Sequence, residues 1–184
     1  MRVIAGSARH LPLKTPQGLK TRPTSDKIKE TLFNILQNDL YEVRFLDLFA
    51  GSGGIGIEAL SRGASFAVFV DSSKDAVRCI EDNLSFTKFE EQALVFQKDV
   101  MQALYSVEKL ESFDIVFADP PYDAGLERKV LAYLAESSII HEDSMIIIEA
   151  DLHTDFSFAE ELGFTVTREK KYKSNKHVFL EKTL

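Results

Sequence analysis

The chain has 184 residues and 20.7 kDa, 45% apolar and 28% charged. That composition excludes wholesale disorder and predicts one compact domain with a short appendage, large enough to bury roughly 70% of its unfolded surface. The net charge of −7, taken whole, weighs against a nucleic-acid partner. No apolar run approaches the ~20 residues of a membrane span, and the lone Cys79 cannot form an internal disulfide. Met1 to Gly6 is too short and polar for a signal peptide. The expectation is a soluble cytoplasmic protein that needs no membrane and no metal, because His10, His141, His153 and His177 lack ligand spacing.

In chain order, Arg2 to Ala5 and Leu11 to Lys14 predict two short strands, hence an N-terminal hairpin within an extension spanning 1–24. Thr24 and Ser25 offer N-cap hydroxyls to an amphipathic helix over 26–37, whose apolar face holds Ile28, Leu32, Ile35 and Leu36. From Val43 the pattern alternates. Strands are predicted at 43–49, 66–70, 94–97, 113–118 and 144–149, and helices at 55–62, 74–86 and 126–136. Two further strands follow at 164–168 and 177–181. Runs such as Ile146-Ile147-Ile148 and Phe45-Leu46-x-Leu48-Phe49 are apolar on both faces, as parallel strands covered by helices are. The fold class is α/β with a mostly parallel sheet over 25–184, and its ligands belong at the carboxyl ends of the strands.

Those strand ends carry the chemistry. The first runs into Asp47-Leu48-Phe49-Ala50-Gly51-Ser52-Gly53-Gly54-Ile55-Gly56, where Gly51-x-Gly53-x-x-Gly56 matches the dinucleotide fingerprint. The second ends in Asp71, placed to accept both hydroxyls of a ribose, followed by Ser72. A glycine cluster after a strand is often only a tight turn; with an acid at this spacing it points to a nucleoside cofactor. Nicotinamide dinucleotides and S-adenosylmethionine both fit. Asp47 favours the second, since a carboxylate beside the loop repels a pyrophosphate but suits an ammonium and a sulfonium. After the third strand, Asp99 can accept from an adenine amine while Val100 packs nearby, although such an Asp equally serves as a helix cap.

The fourth strand ends in Asp119-Pro120-Pro121-Tyr122. Consecutive prolines remove amide donors and leave rigid exposed carbonyls. Asp119 and the Pro120 carbonyl can each take one hydrogen of an amine, and Tyr122 can stack on a base. Charge is unevenly spread. Arg2, Arg9, Lys14, Lys20, Arg22, Lys27 and Lys29 give the first 30 residues a basic excess, and Arg168, Lys170, Lys171, Lys173 and Lys176 form a second basic segment. Such segments grip a polyanion if they meet in space; otherwise they are solvated edges.

With these residues in hand, the tetrad and the Asp47–Gly56 loop resemble the class I S-adenosylmethionine-dependent amino-methyltransferases. That tetrad is shared by enzymes acting on adenine N6, cytosine N4, guanine N2 and glutamine, so it specifies chemistry and not substrate. Arg2-Val3-Ile4-Ala5-Gly6, Thr21-Arg22-Pro23-Thr24-Ser25-Asp26-Lys27-x-Lys29-Glu30, Phe33-Asn34-Ile35-Leu36, Gly56-Ile57-Glu58-Ala59-Leu60-Ser61-Arg62-Gly63-Ala64 and Val68-Phe69-Val70-Asp71 resemble the bacterial small-subunit ribosomal RNA guanine-N2 methyltransferases along nearly the whole chain.

The resemblance implies a Rossmann-like class I methyltransferase fold, a seven-stranded sheet with the last strand antiparallel, and 16S rRNA in an assembling small subunit as substrate. It implies that Asp47, Phe49, Ala50, Gly51, Ser52 and Gly53 hold the methionine part of S-adenosylmethionine. Asp71 and Ser72 would lie at its ribose, Asp99 and Val100 at its adenine, with Arg22 and Thr24 over the pocket. Asp119, Pro120, Pro121 and Tyr122 would position the guanine, and Arg2, Arg9, Lys14 and Lys20 would meet RNA. Where the family usually shows Arg-Gly-Arg, this chain has Arg9-His10-Leu11, so one expected arginine is missing. The rival expectations are a DNA adenine-N6 methyltransferase, a small NAD-dependent oxidoreductase that leaves the tetrad unexplained, and a non-catalytic RNA-binding assembly module.

Overall fold

The computed structural model describes residues 1–16, 25–122 and 124–183. The chain divides into two compact units, Met1–Val100 and Met101–Leu184.

The first unit holds α1 (Asp26–Ile35), β1 (Arg44–Leu48), α2 (Gly54–Ser61), β2 (Phe66–Asp71), α3 (Lys74–Thr87), a 3-10 turn (Glu90–Gln92) and β3 (Ala93–Gln97). Helix α1 begins where Ser25 accepts from the Ile28 amide, and α3 where Ser73 accepts from the Ala76 amide, each satisfying one orphan donor of a first turn. Strands β1, β2 and β3 pair in parallel, with Leu46 beside Val68 and Val68 beside Leu94. Phe45, Leu46, Leu48, Val68 and Phe69 are all buried.

The second unit is built on α4 (Val100–Val107), β4 (Phe113–Ala118), α5 (Leu126–Glu136), β5 (Ile140–Asp151), α6 (Phe158–Glu161), β6 (Phe164–Lys171) and β7 (Asn175–Lys182). Strand β5 runs parallel to β4 and antiparallel to β7, and β7 runs antiparallel to β6. The sheet order is β3-β2-β1-β4-β5-β7-β6. In the first unit β1, β2 and β3 share one direction; in the second, β4, β5 and β6 share one direction and β7, inserted between β5 and β6, opposes them. Ile146, Ile147 and Ile148 are fully buried, each stabilising the fold by about 1.5–3 kcal/mol.

Several expectations shift. Strand β5 is twice as long as its apolar stretch suggests, because its first half carries His141, Glu142 and Asp143 and meets β4 through a register shift between Phe113 and Ile115. Helix α4 is a short element whose eight residues the sequence pattern left unassigned, and α6 has only four. The N-terminal hairpin reduces to one bridge, Arg2 to Pro12, since Pro12 has no amide to donate. Backbone bonds from Val3 to Leu11, His10 to Val3 and Leu13 to Met1 complete it.

Residues 1–16 are fastened to the first unit. The Glu58 carboxylate, wholly buried on α2, accepts from the Ile4 and Ala5 amides at 2.8 and 3.0 Å and pairs with Lys29 and Arg62. Lys29 also donates to the Arg2 carbonyl at 2.6 Å. Burial lowers the Lys29 pKa, offset in part by Glu58. Ser61 accepts from Ala8 and donates to the Ala5 carbonyl. Gly6 (φ +84°) lies so close that a Cβ would sit 1.7 Å from the Ser61 carbonyl oxygen, so only glycine fits.

Candidate active site

In the first unit, β1 delivers its chain into a loop that is tied at every turn. Phe49 and Gly51 take positive φ values of 62° and 56°, and Gly53, at 75°, caps α2. For Phe49 this is an uncommon backbone state, the kind that persists where surrounding structure enforces it. The Ala50 amide donates to the Val70 carbonyl and the Gly53 amide to the Ala50 carbonyl. Asp71 bridges outward from β2: Oδ2 accepts from the Gly51 amide at 2.9 Å and Oδ1 from the Ser73 amide at 2.8 Å. The 20-residue spacing noted in the sequence is thus a direct contact. Each Asp71 oxygen keeps a lone pair for a ligand hydroxyl.

Asp47 lies deeper. Its Oδ2 accepts from the Gly56 amide at 2.9 Å near the start of α2, and the residue is 1% exposed. Burial first, with the Asp71 charge adding, raises its pKa to about 7 against the pull of that amide. Gly56 is required by packing: a Cβ there would meet the Phe69 ring at 2.3 Å. Ser52 and Gly53 are buried, whereas Phe49, Ala50 and Gly51 are half-buried and line the open side of the loop. Ser72 and Asp99 are exposed, and Val100 is buried at the start of α4.

Two residues behind this loop escaped sequence reasoning. Asn83 on α3 donates to the Ser52 carbonyl at 2.9 Å and to the Lys14 carbonyl at 3.0 Å, and accepts from the Lys14 amide at 2.8 Å. The Ser52 hydroxyl donates to Met1 Sδ at 3.3 Å, and Met1 packs against Gly54. An Asn on the apolar side of an amphipathic helix was the available signal.

In the second unit, β4 ends in the tetrad. Asp119 is half-buried, Pro120 buried, Pro121 exposed and Tyr122 46% exposed. Burial, then the charges of Glu149, Asp119 and Asp151, push the Tyr122 hydroxyl up to about 12, so it stays protonated. Sequence reasoning also missed a buried polar group at the ends of β5 and β7. The Glu149 carboxylate accepts from Asn175 Nδ2 and faces His177 Nε2 at 3.1 Å, while His177 Nδ1 meets the Tyr172 hydroxyl at 3.1 Å. His177 is fully buried. Its signal was a polar triplet, Asn175-Lys176-His177, opposite the apolar β5.

The basic residues scatter. Arg2 and Arg9 line one cavity of about 530 Å³ with His10, Asp26, Lys27 and Glu30, and Arg2 pairs with Asp26 at 3.3 Å. Lys14 borders another, of about 310 Å³, and pairs with Asp82 at 2.8 Å. Lys29 and Lys176 are interior residues bound to Glu58 and Glu169, which corrects their inclusion among the solvent-facing basic charges. Lys20, Arg22 and Thr24 lie outside the described residues. Among the described residues no helix is long and apolar enough to cross a membrane.

A parallel sheet with its final strand reversed, and a glycine loop after the first strand, define the Rossmann-like methyltransferase class. The ribosomal protein L11 methylase of Lactobacillus delbrueckii shares the fold at a TM-score of 0.75 and 16% identity, over 96% of this chain and 88% of that one. More narrowly, the chain belongs to the family described as Conserved hypothetical protein 95, whose model matches residues 1–181. It is 36% identical over 154 residues to Ribosomal RNA small subunit methyltransferase D of Haemophilus influenzae, covering 82% of this chain and 79% of the relative. The solved structure of protein TTHA0928 from Thermus thermophilus superposes with a TM-score of 0.82 at 28% identity, over 98% and 99% of the two chains.

Proposed function

We propose that this protein transfers a methyl group from S-adenosylmethionine to the exocyclic N2 of one guanine in 16S rRNA, met in an assembling small subunit. The observation that carries the reading is the Asp119-Pro120-Pro121-Tyr122 tetrad closing a buried parallel strand, with Tyr122 half-exposed among carboxylates. The name of the Haemophilus relative supports the rRNA substrate.

The first unit's residues fit the cofactor. Asp71 retains acceptor capacity for two ribose hydroxyls, Asp99 is exposed at the end of β3 for an adenine amine, and the half-buried stretch Phe49 to Gly51 receives the methionine portion. A nicotinamide enzyme would leave the Asp119-Pro120-Pro121-Tyr122 tetrad without a role, which separates the two readings. When bound, the cofactor supplies an electrophilic methyl on a cationic sulfur.

The protein's contribution is position and electrostatics. An aromatic amine is a poor nucleophile because its lone pair conjugates with the ring. Asp119 and the Pro120 carbonyl accept its two hydrogens, which favours a pyramidal nitrogen and stabilises the positive charge growing on it. Tyr122 stacks on the base, worth about 1–3 kcal/mol. The new N–C bond forms as the S–C bond breaks, its electrons staying on sulfur, and the nitrogen then loses a proton to Asp119 or water. Arg2 and Arg9, with Lys14 and Lys20, are assigned to the RNA backbone. The test is transfer of labelled methyl from S-adenosylmethionine to 16S rRNA, tRNA, DNA and protein, with mass-spectrometric mapping of the product. Label confined to DNA adenine, or absent from rRNA, overturns the reading.

A further inference from the structure

The tetrad fixes an amine but not the base that carries it. We propose that Glu149, held by Asn175 and His177, is the specificity-determining acceptor that recognises the N1–H of the target guanine and rejects bases with a lone pair there. This rests on the guanine-N2 reading given above and deepens it.

The placement follows from strand register. Ala118 of β4 lies beside Ile148 of β5, so Asp119 and Glu149 are the next residues on neighbouring parallel strands. Glu149 stands directly opposite His177 on β7. Phe117, two residues before Asp119, meets the His177 ring edge to face at 5.8 Å. Side chains two apart on a strand share a face, so Asp119, Glu149 and His177 belong to one side of the sheet at its carboxyl edge. The Glu149 charge is felt at the hydroxyl of Tyr122, the residue assigned to stack on the base.

The hydrogen-bond count shows what this edge lacks. An ionised carboxylate offers about four lone-pair positions and an amide oxygen two. Around Glu149 the groups that can donate are Asn175 Nδ2 and His177 Nε2, with the Tyr172 hydroxyl on the other ring nitrogen of His177. Facing a carboxylate, Asn175 must present its NH2 group, which leaves Oδ1 as the acceptor. That oxygen is buried and has no partner among the described residues, in a side chain 95% withdrawn from solvent. The cluster is therefore rich in acceptors and short of donors. Guanine presents the complementary edge: N1–H beside the N2 amine, three hydrogens in a row. Adenine presents an N1 lone pair next to its amine, which a fixed carboxylate repels.

The test compares RNA fragments carrying either guanine or 2-aminopurine at the mapped position. 2-Aminopurine keeps the N2 amine and has a lone pair at N1. The wild-type protein is expected to prefer guanine at least about tenfold in kcat/KM, because a site built around a donor rejects the analogue lacking it. Glu149→Gln, whose amide can donate as well as accept, is expected to bring the two substrates within about threefold. Asn175→Ser, which frees the carboxylate on one side, should narrow the gap if Glu149→Gln does not fold. Wild-type protein indifferent to the two bases, or a folded variant with undiminished preference, overturns the proposal. Absence of transfer to the guanine fragment by wild-type protein overturns the underlying guanine-N2 reading instead.

Discussion

The loop between β1 and α2 and the tetrad after β4 both sit at the carboxyl ends of parallel strands, yet they are built in opposite ways. The loop is a backbone structure. Its amides at Ala50, Gly51, Gly53 and Gly56 are each taken up by the protein itself, two of them by Asp71 and Asp47. The edge beside the tetrad is a side-chain structure, assembled from β5 and β7, and it leaves Asn175 Oδ1 without a donor among the described residues. A cradle that is complete before its ligand arrives suits a cofactor common to many enzymes. An edge that is incomplete until its ligand arrives suits the reading of one base, because a wrong ligand leaves buried polar groups unpaired at about 1–3 kcal/mol each.

The contrast breaks most visibly at Asp119. Asp119→Ala is expected to lower the methyl-transfer rate at least ~100-fold while S-adenosylmethionine affinity changes little, the scale seen when one preorganised hydrogen-bonding group is removed from a reacting centre. Single-turnover kinetics beside calorimetry separates the two. A variant with near-normal turnover removes Asp119 from the mechanism.

Asp71 is the corresponding weak point of the loop. Asp71→Ala removes the acceptor of the Gly51 and Ser73 amides as well as the proposed ribose contact. Cofactor affinity should fall by about 1.5–3 kcal/mol, the scale of hydrogen bonds to a charged group. Asp71→Asn should recover part of the loss, since its oxygen can still accept from Gly51. Equal affinities for the alanine variant and the parent would show that the ribose is held elsewhere.

The same contrast explains what the sequence disclosed. The loop was legible because glycines at 51, 53 and 56 and an acid 20 residues on are local signals of local geometry. The apolar runs of β1 and β5 announced parallel strands because burial on both faces demands them. The Glu149 cluster was illegible because it needs β7 to enter between β5 and β6, and no spacing in the chain states which strands will be neighbours. Lys29 was misleading for a similar reason. It occupies a basic segment in the sequence, but its helix turns it inward onto Glu58, a partner 29 residues away.

Asp47 gives the loop a pH signature. Its folded pKa of about 7 exceeds the ordinary 3.8, so the folded state holds the proton more tightly than the unfolded one. The stability tied to this proton is complete below about pH 4 and is lost as pH rises through about 7. Asp47→Asn removes the titration while its amide oxygen can still accept from Gly56. The melting temperature of the variant relative to the parent should therefore rise between pH 5 and pH 8, by on the order of 1–3 kcal/mol of stability at about 2–4 °C per kcal/mol. A difference independent of pH would mean that Asp47 stays ionised in its buried position.

The smallest effect concerns the charges assigned to RNA, where the comparison extends from the loop to the segment clamped behind it. Arg9 and Lys14 are exposed, and both lie on the part of the chain that Glu58, Ser61 and Asn83 hold in place. Lys176 is as basic but is buried against Glu169. Each phosphate neutralised contributes about 0.7–0.9 to the slope of log affinity against log salt. The double variant Arg9→Ala with Lys14→Ala should flatten that slope by about 1.5 units in filter binding to a 16S fragment, whereas Lys176→Met should leave it unchanged. Cofactor affinity should be retained in the double variant, because Asn83 binds the backbone of Lys14 and not its side chain. A slope that the double variant does not alter would place the RNA on another surface and leave the Lys14–Asp82 pair as an ordinary solvated contact.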